Sequence, residues 1–219
     1  MLERFYEAKV WYNEKIVETT LKNLTKNGFN VLYVPKKEDA LKKILEMVPI
    51  DAKVGVGGSL TIREMGLIEA LKNRGNIVLD TWQPNLPKKD ELEMRRNHLT
   101  SDVFISSTNA LTIDGKLVNI DGVGNRVAAM IFGPKKVIVV AGINKIVKDV
   151  NEGIKRIRDL AAPLNAKRSN RKTPCALTGF CDEENCEPPD RICKVITIIE
   201  RKPTETDTTL ILVGEPLGY

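Results

Sequence analysis

The 219 residues, 42% hydrophobic and 29% charged, can bury a core without a disulfide scaffold, and no apolar run approaches the roughly 20 residues of a membrane-spanning helix. The 34 Lys and Arg against 29 Asp and Glu give a formal charge of +5, interspersed along the chain and too mild to point to nucleic acid. A single histidine, His98, excludes two-histidine metal sites and paired-histidine mechanisms, so chemistry falls to carboxylates, lysines, backbone amides or thiols.

The start, Met1 to Lys15, carries charges throughout and lacks the apolar stretch of a secretory signal, which predicts a soluble cytoplasmic protein. From Leu2 to Asn27 the apolar residues fall near a 3.6 period, an amphipathic helix stopped by Gly28. A strand over Phe29 to Val34 ends at Pro35, and a helix over Lys37 to Val48 ends before Pro49. Lys53 to Gly57 reads as a short buried strand. Ser59 is the cap of a helix that runs to Gly75, and Asn76 to Asp80 is again a strand. A charged surface helix spans Lys88 to Leu99, and a strand spans Asp102 to Ser107. Asp114-Gly115 turns a hairpin between Leu111 to Ile113 and Lys116 to Ile120. A helix is predicted over Asn125 to Phe132, a buried strand over Lys136 to Ala141 and a helix over Asp149 to Ala162. After Pro163 the pattern breaks into a polar, cysteine-containing segment. Two late strands, Lys194 to Glu200 and Thr208 to Val213, then follow as an appendage to the sheet.

The alternation predicts an α/β fold, a largely parallel sheet flanked by helices, with ligand loops at the carboxyl ends of the strands. One domain over 1–219 is expected, divided into an N-terminal helix (1–27), an α/β core (28–163) and a cysteine loop with closing strands (164–219).

Three loops sit where such a sheet gathers ligands. Gly57-Gly58-Ser59 opens a helix after a strand, where bare backbone and unpaired amides suit a phosphate or carboxylate. Leu60 holds the place of the last glycine of a dinucleotide fingerprint, which leaves that reading as the lesser alternative, kept open by Asp80 at the end of the next strand where a ribose-binding acid would sit; no Gly-Lys-Ser/Thr follows for a P-loop. In the second loop Asp121 is a candidate general base, with Asn125 and Arg126 as binding groups. In the third, Asn144 can hold a hydroxyl or carbonyl. Lys145, read as an exposed loop residue, can neutralise an anion. These residues are expected around one pocket. Each of them is equally at home in an ordinary turn or on a surface.

Cys175, Cys181, Cys186 and Cys193 share one segment, spaced C-x5-C-x4-C-x6-C. Four thiolates suffice for an iron–sulfur cluster or a structural zinc, but the spacing has neither the C-x2-C knuckles of common zinc sites nor a ferredoxin run. Disulfides, free thiols and burial of the loop in a homodimer remain as alternatives.

Gly57-Gly58-Ser59-Leu60-Thr61 with Arg63-Glu64-Met65-Gly66-Leu67 is similar to the lactate-utilization (LUD) domain. So are Ser107-Thr108-Asn109-Ala110-Leu111-Thr112 with Asp114-Gly115, Gly124-Asn125-Arg126-Val127-Ala128, Gly142-Ile143-Asn144-Lys145-Ile146-Val147 and Ala162-Pro163-Leu164-Asn165-Ala166. The resemblance runs from about residue 10 to Tyr219. It implies a fold like that of ribose-5-phosphate isomerase, glucosamine-6-phosphate deaminase and the coenzyme A transferases. It also implies a bacterial or archaeal protein whose better-known relatives form a three-part system that oxidises L-lactate to pyruvate. Larger members fuse the domain to a ferredoxin-like segment; this sequence carries its own four-cysteine loop instead. The expected partners are therefore a small anionic metabolite, lactate or a sugar phosphate, and further subunits of such a system. The alternative is a non-catalytic ligand-binding or electron-transfer subunit that works through the cysteines.

Overall fold

The structure, a computed structural model, describes residues 2–219. Its main sheet has six strands, all parallel. They are β1 (Asn30–Val34), β2 (Lys53–Val56), β3 (Ile77–Asp80), β4 (Val103–Ser107), β7 (Lys136–Gly142) and β10 (Asp207–Val213), in the order β1-β10-β7-β4-β2-β3. A second sheet holds β5 (Ala110–Thr112), β6 (Leu117–Asp121), β8 (Ile146–Val147) and β9 (Val195–Ile199), in the order β8-β5-β6-β9.

Apolar residues on both faces of a strand require cover on both sides, and the main sheet has it. Val103 and Ile105 of β4, Ile138 and Val140 of β7, and Ile211 and Val213 of β10 face one core. There they meet Ala40 and Ile44 of α2 (Lys37–Met47), Ile62 of α3 (Leu60–Glu64), and Leu67, Ile68 and Leu71 of α4 (Leu67–Asn73). The alternate residues Phe104, Val137, Val139, Leu210 and Leu212 face a second core. This one is closed by Leu24 of α1 (Leu2–Lys26), Ala129 and Met130 of α6 (Asn125–Ile131), and the inner face of the small sheet. Among the described residues no helix is long and apolar enough to cross a membrane.

The closing strand is not an appendage. β10 lies between β1 and β7, pairing Thr209 with Asn30 and Asp207 with Lys136, because Leu210-Ile211-Leu212-Val213 is a continuous apolar run that must be covered on both faces. β9 alone joins the small sheet, antiparallel to β6.

The helix that begins at α7 (Val150–Arg156) also outruns the expectation. It passes through a π turn at Ile157–Ala161 into α8 (Ala162–Arg168) instead of ending at Pro163. A proline lacks the N–H for the ladder and crowds the carbonyl four residues back; the wider turn just before Pro163 relieves both. The charged helix α5 ends earlier than predicted, at Lys88–Asn97, and gives way to a 3₁₀ turn at His98–Thr100. His98 is buried against Phe104, with Nε2 3.0 Å from the Leu79 carbonyl oxygen. Burial lowers its proton affinity, so the lone histidine is a neutral core residue.

Candidate functional site

After β2 the chain leaves toward β3, whereas after β4 it leaves toward β7, so the adjacent strands β2 and β4 form the switch point of the main sheet. Open α/β sheets bind ligands in the crevice outside such a point. Here the crevice is a pocket of about 410 Å³.

Gly58, Ser59, Asp121, Asn125, Arg126 and Lys145 all line the pocket. Gly57 and Asn144 do not. Gly57 donates its N–H to the Ile105 carbonyl, and a Cβ there would lie 2.5 Å from the Ser106 hydroxyl and 3.2 Å from the Phe104 ring. Its smallness serves the protein's own packing. A Cβ on Gly58 would meet the Trp82 indole at 2.7 Å. Ser59 caps the five-residue α3, its hydroxyl accepting from the Ile62 N–H at 3.4 Å. Ser59→Ala is expected to cost about 0.5–1 kcal/mol, read by thermal denaturation, since that bond is long.

Lys145 is not an exposed loop residue: it is 3% exposed. The 3₁₀ turn Ile143–Lys145 after β7 folds the side chain back over the strand ends. There Nζ donates to Ser107 Oγ at 2.8 Å, Thr61 Oγ1 at 2.9 Å and the Thr108 carbonyl at 3.3 Å. Burial, then the charges of Arg156 and Arg126, lowers its pKa to about 7, against a smaller opposing pull from Glu64. The amine and the ammonium are therefore both accessible near neutral pH.

Asp121, at the end of β6, is committed to Arg126. One carboxylate oxygen accepts from Arg126 Nε at 2.9 Å and Nη2 at 2.5 Å, and the other accepts from the Val127 N–H at 3.3 Å. Arg126 also donates to Asn109 Oδ1 at 2.7 Å. Asn144 holds the C-terminal segment, its Oδ1 accepting from the Leu217 N–H at 3.0 Å and its Nδ2 donating to the Gly218 carbonyl at 3.3 Å.

In the sequence the acceptors around Lys145, and Arg63 of the far wall, stand only as members of the motifs of the family resemblance, with no site role, and neither Trp82 nor Arg168 is singled out. The signal for the acceptors was Ser106-Ser107-Thr108-Asn109, a polar run at the carboxyl end of a buried strand. On the far wall two guanidinium groups stack over the Trp82 ring, that of Arg168 at 3.8 Å from the ring centroid and that of Arg63 at 4.5 Å. Arg63 is paired to Asp80, and Arg95 of the pocket to Glu91. Arg168 and Arg171, which also line the pocket, have no carboxylate partner among the described residues.

All four cysteines line a second, smaller cavity. None is in a disulfide. Burial, followed by the charges of the other three thiols, raises Cys193 to about 11. Among the described residues no group of three or more His, Cys, Asp or Glu is placed to hold a metal ion.

Fold and site together define an α/β protein with a cation-rich pocket at the switch point of a parallel sheet. The chain belongs to the LUD domain family, whose model matches residues 17–213. Its fold is similar to that in a crystal structure of a DUF162 family protein from Deinococcus radiodurans, with a TM-score of 0.54 and 15% identity over 92% of this chain and 98% of that one. No curated protein matches the sequence.

Proposed function

We propose that the pocket binds a small anionic metabolite, the size of lactate or a sugar phosphate, and that the chain serves as a subunit of a lactate-oxidising system. The observation that carries this reading is the buried Lys145 amine in a pocket whose Arg168 and Arg171 have no carboxylate partner among the described residues. An anion entering there gains charge-assisted hydrogen bonds in a partly dehydrated site. Lys145 as ammonium stabilises an oxyanion on the ligand; as amine it takes a proton from the ligand. Asp121 acts by fixing Arg126, and the Gly58-Ser59 backbone and Asn125 complete the cradle. Oxidation of lactate also needs an electron acceptor, which a partner subunit would carry, since the sequence has no nicotinamide fingerprint. A second reading, an electron-transfer subunit, is favoured by Ile192 and Cys193, which line both cavities.

Titration calorimetry with L-lactate, pyruvate, ribose 5-phosphate and uncharged ribose tests the first reading. At least one of the anions is expected to bind, more weakly as salt rises, while ribose gives no heat. Binding of ribose as tight as that of its phosphate would overturn it.

A further inference from the structure

We propose that Cys175, Cys181, Cys186 and Cys193 ligate an iron–sulfur cluster in the cavity behind the pocket wall. The four residues come from one irregular segment, yet all of them border the same small cavity, and none is in a disulfide. Thr173 caps the short helix α9 (Pro174–Thr178), which sets Cys175 in place, with the Thr173 hydroxyl 3.3 Å from its sulfur. Arg191 then draws the rest of the segment together. It donates to the carbonyls of Cys193 at 2.9 Å, Cys186 at 3.1 Å and Glu183 at 3.2 Å. Arg158, from the π turn, pairs with Glu183 at 2.5 Å. On the other side the Lys194 N–H donates to the Asp121 carbonyl at 3.0 Å, tying the fourth cysteine to the end of β6.

This framework orders a segment with little apolar payload. Leu177 and Phe180 are 74% and 78% exposed, and Ala176 is its buried apolar residue. Ordering a chain costs entropy that such packing does not return, and a ligand held by all four thiolates offsets it. Arg158 and Arg191 line the cavity together with Glu183, to which both are paired, and with Asp182. A structural zinc needs its sulfurs at about 2.3 Å from one point. Among the described residues no group of three or more is placed to hold a metal ion as the side chains stand, so the proposal rests on the shared cavity and the four thiols, the ligand set of an iron–sulfur cluster. This inference is independent of anion binding at Lys145.

The test is reconstitution of the full chain with ferrous iron and sulfide under strict exclusion of oxygen. Desalting, metal and sulfide analysis, and visible and electron paramagnetic resonance spectra would follow. The expected result is iron and sulfide in equal amounts, a broad absorbance near about 400 nm and a signal on reduction with dithionite. Cys181→Ala and Cys186→Ala should each lose most of the iron and the colour while keeping the wild-type far-ultraviolet circular dichroism. Wild-type protein that stays colourless and iron-free, or that takes up one zinc in preference to iron, would overturn the proposal. So would variants that keep the full spectrum. Because the wild-type result stands alone, a variant that misfolds does not blunt the test.

Discussion

Lys145→Met is expected to weaken binding of the anion that titrates best by about tenfold to a hundredfold, the loss of a charge-assisted hydrogen bond of about 1.5–3 kcal/mol. Any turnover that uses the amine as a base should fall further, by about 10²–10⁴. The same substitution has a second effect. Lys145 is held near pKa 7 in the folded chain against 10.5 in its unperturbed state. Between those values the unfolded chain binds more protons than the folded one, so the lysine's contribution makes stability rise with pH across that window. Below about pH 7 the folded chain bears the cost of a buried ammonium, and Met removes it. The variant should therefore compare best with wild type at pH 6 and lose ground steadily toward pH 10, as measured by urea denaturation across that range. A difference independent of pH would mean that the amine does not lose its proton in this window.

Phe104→Ala is expected to destabilise the protein by about 3–5 kcal/mol, the usual cost of emptying a fully buried aromatic site. At roughly 2–4 °C per kcal/mol for a chain of this size, the melting midpoint should fall by about ten degrees. Phe104 is 0% exposed in β4 and stacks at a tilt against His98. Gly55 and Gly57 lie bare against it, a Cβ on either coming within 3.0 and 3.2 Å of the ring. Removing the ring takes away the floor beneath the loop that carries Gly58 and Ser59, so ligand affinity should fall together with stability. A loss below about 1 kcal/mol would show that the glycines collapse onto the space, contrary to the packing argument.

Where burial dictates residue type, the sequence already carries the structure. The Val137 to Val140 run had to be a covered strand, and the hairpin at Asp114-Gly115 was marked by its turn residues. Strand order is a different kind of information. Nothing local to Thr208–Val213 distinguishes an added strand from one inserted between β1 and β7; only the need to cover Leu210 and Ile211 on opposite faces does. The site divides in the same way. The loops that line the pocket were found by their positions after strands. That Lys145 points inward was not, because polar neighbours such as Asn144 suggest solvent when the Thr61, Ser107 and Thr108 oxygens that receive it are distant in sequence. Trp82 and Arg168 meet only through the fold.

The placement of β10 also bears on how the chain comes to fold. β1 is made early but has one partner in the main sheet, and Asn30 must wait for Thr209. Until then β1 has no strand beside it in that sheet, and β7 presents an open edge on the side where β10 will lie. Pairings so far apart in sequence raise the mean contact separation and slow the search. A nascent chain that ends before Asp207 therefore carries two unsatisfied edges, the kind of surface that other chains can capture.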